Sequence, residues 1–308
     1  MNAPFDPSAI VECVPNVSDG RRSDVIERIR AAAASVRGAS VLDVHTDADH
    51  NRSVYTIAGA ASAVAESAFR LAEAAVREID MRQHRGTHPR IGALDVLPFV
   101  PLGSTSMTTC VALAHAVGLR IGSALDVPVY FYGEAALTDG RRRLVDVRRG
   151  EYEGLARSIQ EGTHAPDAGP PGLGKAGATA VGARGPLIAF NVHLRTGDVS
   201  VASTIARRIR ASSGGLPGVQ ALGLPTSRPE VVQVSMNLTD IGLTSLSDVV
   251  ARIRAEARVF GVDVGASELV GLMPLAAALE AAAAQLDLPG LGMDQILDVA
   301  LLNARMGS

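Results

Sequence analysis

Residues 80–95, Asp-Met-Arg-Gln-His-Arg-Gly-Thr-His-Pro-Arg-Ile-Gly-Ala-Leu-Asp, crowd ionisable side chains and chain breakers between two apolar segments. Binding and catalysis concentrate in loops held in this way. His84 and His88 stand four apart, which on a helix puts both imidazoles on one face and points to a metal site. Gly86 and Pro89 argue against that helix. Glycine costs about 1 kcal/mol in a helix interior, and the residue before a proline is pushed out of the α region. His88 is therefore expected in a loop. There an imidazole of ordinary pKa, near ~6.5, can take and give a proton at neutral pH, and Arg85 and Arg90 attract an anion. A solvated loop with two incidental histidines is the competing reading.

Other patterns carry less. Gly169, Pro170, Pro171, Gly172, Leu173, Gly174, Lys175 and Ala176 nearly spell a phosphate-binding P-loop. Ala176 lacks the hydroxyl that such a loop gives to Mg²⁺, and the glycine- and proline-rich flanks offer neither the preceding strand nor the following helix. A glycine-rich loop with one lysine can still wrap an anionic ligand through its backbone N–H groups. Asp43, His45, Asp47, Asp49 and His50 supply possible third ligands to a metal. Such groups in a polar turn more often solvate or cap, and no metal is expected. Asn51-Arg52 opens a strand and reads as turn chemistry or as a carboxylate clamp. His115 reads as a core or interface histidine, His193 stays open between structure and function, and Cys13 and Cys110 read as inert packing.

The elements that must position these residues follow from pattern. A strand over 9–14, a helix over 22–36, strands over 40–44 and 52–58, a helix over 60–79 and a strand over 94–100 give the order β-α-β-β-α-β. Pro98 suggests that the last of these is an edge or a bend. A helix over 107–125, a strand over 127–132 and a short helix from Arg148 follow. Residues 164–185 are rich in glycine, proline and alanine without a helical or strand period, and the domain boundary is placed at their end. Strands over 186–194, 218–224, 231–238 and 262–270, with helices over 200–212 and 244–259, repeat the order. In the third of these strands Val232, Val234, Met236 and Leu238 alternate with Gln233, Ser235 and Asn237, and Thr244 is expected to cap the following helix. The fold class is α/β (α+β): two ferredoxin-like split βαβ subdomains, residues 1–184 and 185–308, with mixed or antiparallel sheets, helices on one face and a cleft between them.

Composition narrows the partners. A chain of 308 residues with 47% hydrophobic and 20% charged residues is long enough and apolar enough for a globular core. A net charge of -3, aromatic content of 3% and no basic block leave nucleic acid unsupported. Two cysteines are too few for a disulfide scaffold, so a reducing cytoplasm is expected. The start, Met-Asn-Ala-Pro-Phe-Asp-Pro, lacks the features of a signal peptide, and the apolar stretch 269–284 is broken by Gly271, Pro274 and Glu280, so no membrane span is expected.

Several stretches together resemble the glutamate formimidoyltransferase (formiminotransferase) family, the N-terminal part of formiminotransferase-cyclodeaminase. They are Glu12-Cys-Val-Pro-Asn-Val-Ser-Asp-Gly20, Asp49-His-Asn-Arg-Ser-Val54, His84-Arg-Gly-Thr-His-Pro-Arg-Ile-Gly-Ala93, Pro128-Val-Tyr-Phe-Tyr-Gly-Glu-Ala135, Gly177-Ala-Thr-Ala-Val-Gly-Ala-Arg184, Gln233-Val-Ser-Met-Asn-Leu238 and Ser267-Glu-Leu-Val-Gly271. The resemblance implies transfer of a formimino group between 5-formiminotetrahydrofolate and L-glutamate, as in histidine breakdown, with folate between two subdomains. It implies that His88 is the catalytic base and that Gly169 through Gly177 form the folate loop. Arg52, Arg90 and Arg184 are candidates for the glutamate carboxylates by chemistry rather than by motif.

Thr87 stands where the family has glutamate, His45 where some members have aspartate, and the folate loop is one residue short, with Ala168 in place of a phenylalanine. Alternatives are formyl transfer, another amine acceptor, or a weakly catalytic folate-binding homologue. Small-molecule substrates and a homodimer are expected. Because the chain stops at Ser308, no fused cyclodeaminase domain is expected.

Overall fold

The computed structural model describes residues 5–306. Residues 1–4, where a leader would start, and the chain end at Ser308 lie outside the described residues. The chain divides into two compact units, one ending at Gly185 and the other beginning at Pro186.

The first unit is built on a seven-stranded sheet. Its elements in order are β1 (Ile10–Cys13), β2 (Asn16–Val17), α1 (Ser23–Ala34), β3 (Ala39–Asp47), β4 (Arg52–Ala60), α2 (Ala61–Glu78), β5 (Leu94–Pro101), α3 (Met107–Ala124), β6 (Val129–Gly133), α4 (Leu144–Val147), α5 (Glu151–Gln160) and β7 (Thr179–Ala183). β1 and β2 both lie antiparallel between β4 and β5, and β3 pairs with β4 outside them. That is the strand order of the split βαβ arrangement expected from sequence. The structure extends it, because β7 lies parallel to β5 on one side and to β6 on the other.

Helix α2 is held by a stripe: Val64, Ala68, Leu71, Ala72 and Ala75 are buried, the three- and four-residue recurrence of an amphipathic helix. With Val25 and Ile29 of α1 and Leu113, Val117 and Ile121 of α3 they form the main core against Tyr55, Ile57, Leu97 and Phe99 of the sheet. A second cluster adds helices to the opposite face, where Val147, Leu155 and Ile159 pack with Val96, Tyr130, Tyr132 and Ala180.

Three local expectations for this unit change. Pro98 does not mark an edge: β5 is interior, buried from Leu94 to Val100. Its position explains the tolerance. Val14 N donates to Pro98 O at 3.2 Å, at the interruption between β1 and β2, so the missing amide faces a gap in the ladder. The connector 164–185 does contain a strand, β7, hidden from a pattern reading because it is buried on both faces and built of small residues. A Cβ on Gly182 would lie 2.5 Å from the Tyr132 ring. The short helix begins at Glu151 rather than Arg148, which closes α4.

The second unit contains β8 (Ile188–Leu194), α6 (Val199–Ile209), β9 (Val219–Pro225), β10 (Val232–Leu238), α7 (Leu246–Val259), β11 (Val264–Val270), α8 (Leu275–Leu286) and α9 (Leu297–Met306). Its sheet runs β11-β8-β10-β9, again the split βαβ order. Val232, Val234, Met236 and Leu238 face Ile205 and Ile209 of α6 and Val249 and Ile253 of α7. Ser245, not Thr244, caps α7: its side chain accepts from Asp248 N while Asp248 Oδ2 accepts from Ser245 N, a capping box. Thr244 instead donates its hydroxyl to Pro217 O at 2.7 Å. Of the apolar stretch 269–284, Ala277 enters the core while Leu272 and Leu275 stay exposed. Among the described residues no helix is long and apolar enough to cross a membrane.

Candidate active site

His88 lies in the non-helical connection between α2 and β5, as Gly86 and Pro89 require. The backbone there is tightly packed, since a Cβ on Gly86 would come within 2.2 Å of His50 O. Asn51, in the left-handed region at φ 50, ties three loops together. Its Oδ1 accepts from Gly20 N at 3.1 Å, its Nδ2 donates to Arg85 O at 3.0 Å, and its carbonyl lies 3.0 Å from His84 Nε2. Arg90 Nε donates to His84 Nδ1 at 3.4 Å, which leaves Nε2 to donate to Asn51 O. His84 is thus fully used in holding the loop, and burial lowers its pKa.

His88 is placed differently. Its Nδ1 is 2.9 Å from Pro89 O, an acceptor, and 3.1 Å from Arg52 Nη1, a donor. The His50 ring meets it edge-on at 5.4 Å, and His50 Nδ1 pairs with Asp47 Oδ2 at 2.9 Å. Burial, and then the Arg52 and Arg148 guanidiniums, push the His88 pKa well below 6.5, so the ring is neutral at physiological pH. Arg52 sits at the start of β4 with its Nε and Nη2 donating to Asn16 Oδ1 and its Nη1 donating to Asp95 Oδ2 at 3.0 Å. Burial, followed by the nearby Arg148, brings Arg52 down to about 10, still protonated. Asp95, 1% exposed, also accepts from Arg148 through Oδ2 and from Ile91 N through Oδ1 at 2.8 Å. Two guanidiniums share one buried carboxylate beside a neutral imidazole, an environment with a net positive charge suited to an anionic ligand.

The remaining sequence candidates divide. Arg184, just past β7, donates to Gly185 O at 2.9 Å and lies by Tyr132 and by Glu12, whose pKa burial raises against the pull of that guanidinium. Arg90 is already engaged: it is bidentate to Glu153 at 2.7 and 2.8 Å and reaches Glu151 at 2.9 Å. In the glycine-rich loop Gly169, Pro171, Gly172, Gly174 and Lys175 are exposed, Pro170 and Leu173 are half-buried, and Ala176 and Gly177 are buried. The end of the loop is stitched to the His88 connection. Ala176 O accepts from Ala93 N at 2.8 Å, Lys175 O from Met81 N at 2.7 Å, and Ile91 O from Ala178 N at 3.0 Å. The two stretches singled out by composition are therefore neighbours. Lys175 Nζ donates to Arg77 O at 3.0 Å, and a strand rather than a helix follows the loop, so the P-loop geometry is not formed.

His193 lies 3.4 Å from Arg228 in the second unit, and His115 Nε2 contacts Ala135 O at 2.8 Å. Both cysteines are buried. No group of three metal-type ligands occurs among the described residues. Sequence reading missed Asn16, Asp95 and Arg148. Asp95 had a signal, a lone acid inside a wholly buried strand; Arg148 had none.

A neutral imidazole held among paired guanidiniums on a rigid sheet is the equipment of an enzyme that moves protons on an anionic substrate. Comparison with known proteins supplies the family. Residues 10–184 match the N-terminal subdomain of the formiminotransferase domain, and residues 189–289 match the formiminotransferase domain itself. The chain is 45% identical over 292 residues to a glutamate formimidoyltransferase of Thermoplasma acidophilum, covering 94% of this chain and 96% of that one. It is 42% identical over 274 residues to a glutamate formimidoyltransferase of Streptococcus pyogenes serotype M1, covering 89% and 92%. With the formimidoyltransferase-cyclodeaminase of Sus scrofa it shares 44% identity over 283 residues, 90% of this chain and 52% of the relative. The chain belongs to the formiminotransferase domain family and is a one-carbon transferase.

Proposed function

We propose that this chain transfers a formimino group between 5-formiminotetrahydrofolate and L-glutamate, with His88 as general base and then general acid. The observation that carries this reading is the state of His88: neutral, with Nδ1 set between Pro89 O and Arg52. With the Nδ1 proton donated to Pro89 O, Nε2 carries a lone pair. It takes a proton from the glutamate amine as that nitrogen bonds to the amidine carbon. The bond from that carbon to the folate nitrogen then breaks, and Nε2 returns the proton to the departing nitrogen, so one imidazole serves both halves of the exchange.

The donor set fits a folate and an amino acid with two carboxylates. Loop 169–177 offers exposed glycine backbone for folate, and Arg184 offers a guanidinium for a carboxylate; Arg52, held by Asn16 and Asp95, adds positive charge rather than free donors. Arg90 supports this reading less, its donors being taken by Glu151 and Glu153. Cytoplasmic location and a homodimer belong to the same reading; light scattering of the purified chain tests the dimer. A spectrophotometric assay with tetrahydrofolate and N-formimino-L-glutamate, run beside His88→Ala, tests the activity. Turnover that falls by at least ~100-fold in the variant is expected, the low end of a general base's contribution. Undiminished turnover in His88→Ala refutes the role of His88.

A further inference from the structure

The guanidinium that touches His88 is itself held by a residue with no motif to mark it. Arg148, at the end of α4, has a side chain only 12% exposed and donates to Asp95 Oδ2, the oxygen that also accepts from Arg52 Nη1. Asp95 Oδ1 is occupied by Ile91 N. On its other side Arg52 is held by Asn16. Arg148 Nε is buried without a hydrogen-bond partner. An unpartnered buried nitrogen carries a cost, and it fits a guanidinium retained for its charge and its hold on Asp95.

We propose that Arg148 is a positioning residue for proton transfer at His88: by sharing Asp95 Oδ2 with Arg52, it fixes the Arg52 guanidinium against His88 Nδ1. The inference rests on the reading of His88 as base and acid. Its chemistry follows from the two neighbours of Nδ1. A ring with its proton on Nδ1, donated to Pro89 O, is a base at Nε2. Once Nε2 has taken its proton the ring is an imidazolium, and the Arg52 guanidinium beside Nδ1 makes it a stronger acid toward the departing nitrogen. The distance from Nη1 to Nδ1 sets how readily the imidazolium gives that proton up. Without Arg148, Asp95 Oδ2 has Arg52 as its sole side-chain donor and draws Nη1 away from the imidazole.

The charged and titratable groups around His88 are Arg52 on β4, Asp95 on β5, Arg148 after α4, and His50 with Asp47 behind it. Removal of Arg148 takes away a cation, so His88 titrates at higher pH and the acidic limb of kcat/KM moves up.

The test compares wild type, Arg148→Met, Arg148→Gln, Arg148→Lys and His88→Ala as full-length purified chains. It measures kcat, both KM values, the pH profile of kcat/KM, and ¹⁵N shifts of the His88 ring. Arg148→Met is expected to lower kcat by about 10-fold or more with KM changed by less than ~3-fold, the signature of an interaction made in the transition state. Its acidic limb moves upward, and Arg148→Lys recovers most of both. An unmoved limb with kcat within about twofold of wild type overturns the proposal. If Arg148→Met does not fold, Arg148→Gln decides: an acidic limb and a His88 Nδ1 shift both unchanged from wild type refute the positioning role. Retained turnover in His88→Ala overturns the underlying reading instead, whatever the Arg148 variants do.

Discussion

The two units share one strand order and differ in what they hang on it. In the first, the connection from the second helix to the last core strand runs through residues 79–93 and carries His84, His88 and Arg90; in the second, the equivalent connection is residues 260–263, Phe-Gly-Val-Asp. The face of the first sheet buries Arg52 and Asp95, with Arg148 joined to them. On the second sheet the comparable polar contact is half-buried, Asn191 donating to Glu268 at 2.9 Å. The same scaffold thus becomes a proton-transfer site where a long loop and a cluster of desolvated charges coincide, and remains a plain sheet face where neither is added. Topology supplies positions, and the insertions supply chemistry.

The largest expected effect tests that contrast directly. Asp95→Ala leaves two guanidiniums facing each other without their carboxylate and should cost about 3–5 kcal/mol in urea unfolding, the penalty of an uncompensated buried charge. Glu268→Ala in the second unit should cost about 1 kcal/mol. Equal losses would break the comparison.

Backbone strain comes next. Gly177 has φ +71 and a Cβ there would lie 2.3 Å from Ile91 O, whereas Gly261, in the short connection, has φ +65 and open space around it. Gly261→Ala should cost about 1–2 kcal/mol for the left-handed conformation alone. Gly177→Ala should cost more, and should also weaken folate binding in a fluorescence titration because it shifts the loop.

The pH dependence of stability should follow the first unit. His84 and His88 have folded pKa values below the ordinary 6.5, so below that pH the unfolded chain binds more protons than the folded one. Stability is then fully present above about pH 6.5 and falls as the pH drops from there, by up to about 1.4 kcal/mol per pH unit for each histidine. His88→Ala should flatten the slope; a slope unchanged in that variant counts against its buried neutral state. The smallest effect belongs to Ser245→Ala, which should cost ~1 kcal/mol through loss of the α7 cap and leave kcat unaltered.

Much of this was readable in the residues. Alternation in β10, the apolar stripe of α2, and the breakers Gly86 and Pro89 around His88 are local signals, and the local structure obeys them. The unread parts depend on contacts distant in sequence. β7 looks like a linker because a strand covered on both faces by large neighbours must be made of alanine and glycine. Pro98 looks like an edge because the gap that excuses it lies in another strand. Arg148 meets Asp95 across 53 positions, and nothing local to either residue announces the pair. Arg90 drew notice beside the histidines, but its engagement with Glu151 and Glu153 is fixed by where α5 lands.

The placement of β7 also fixes the order in which the first sheet can be completed. It is the last strand of its unit to leave the ribosome, yet it lies between β5 and β6, which are made earlier. Until residues 179–183 emerge, β5 has an unpaired side and β6 has no neighbour in the sheet, so a nascent chain of this length exposes two apolar strand edges. The final closure is a parallel, long-range pairing, the slow kind, and it is the step in biosynthesis at which a chaperone would matter most.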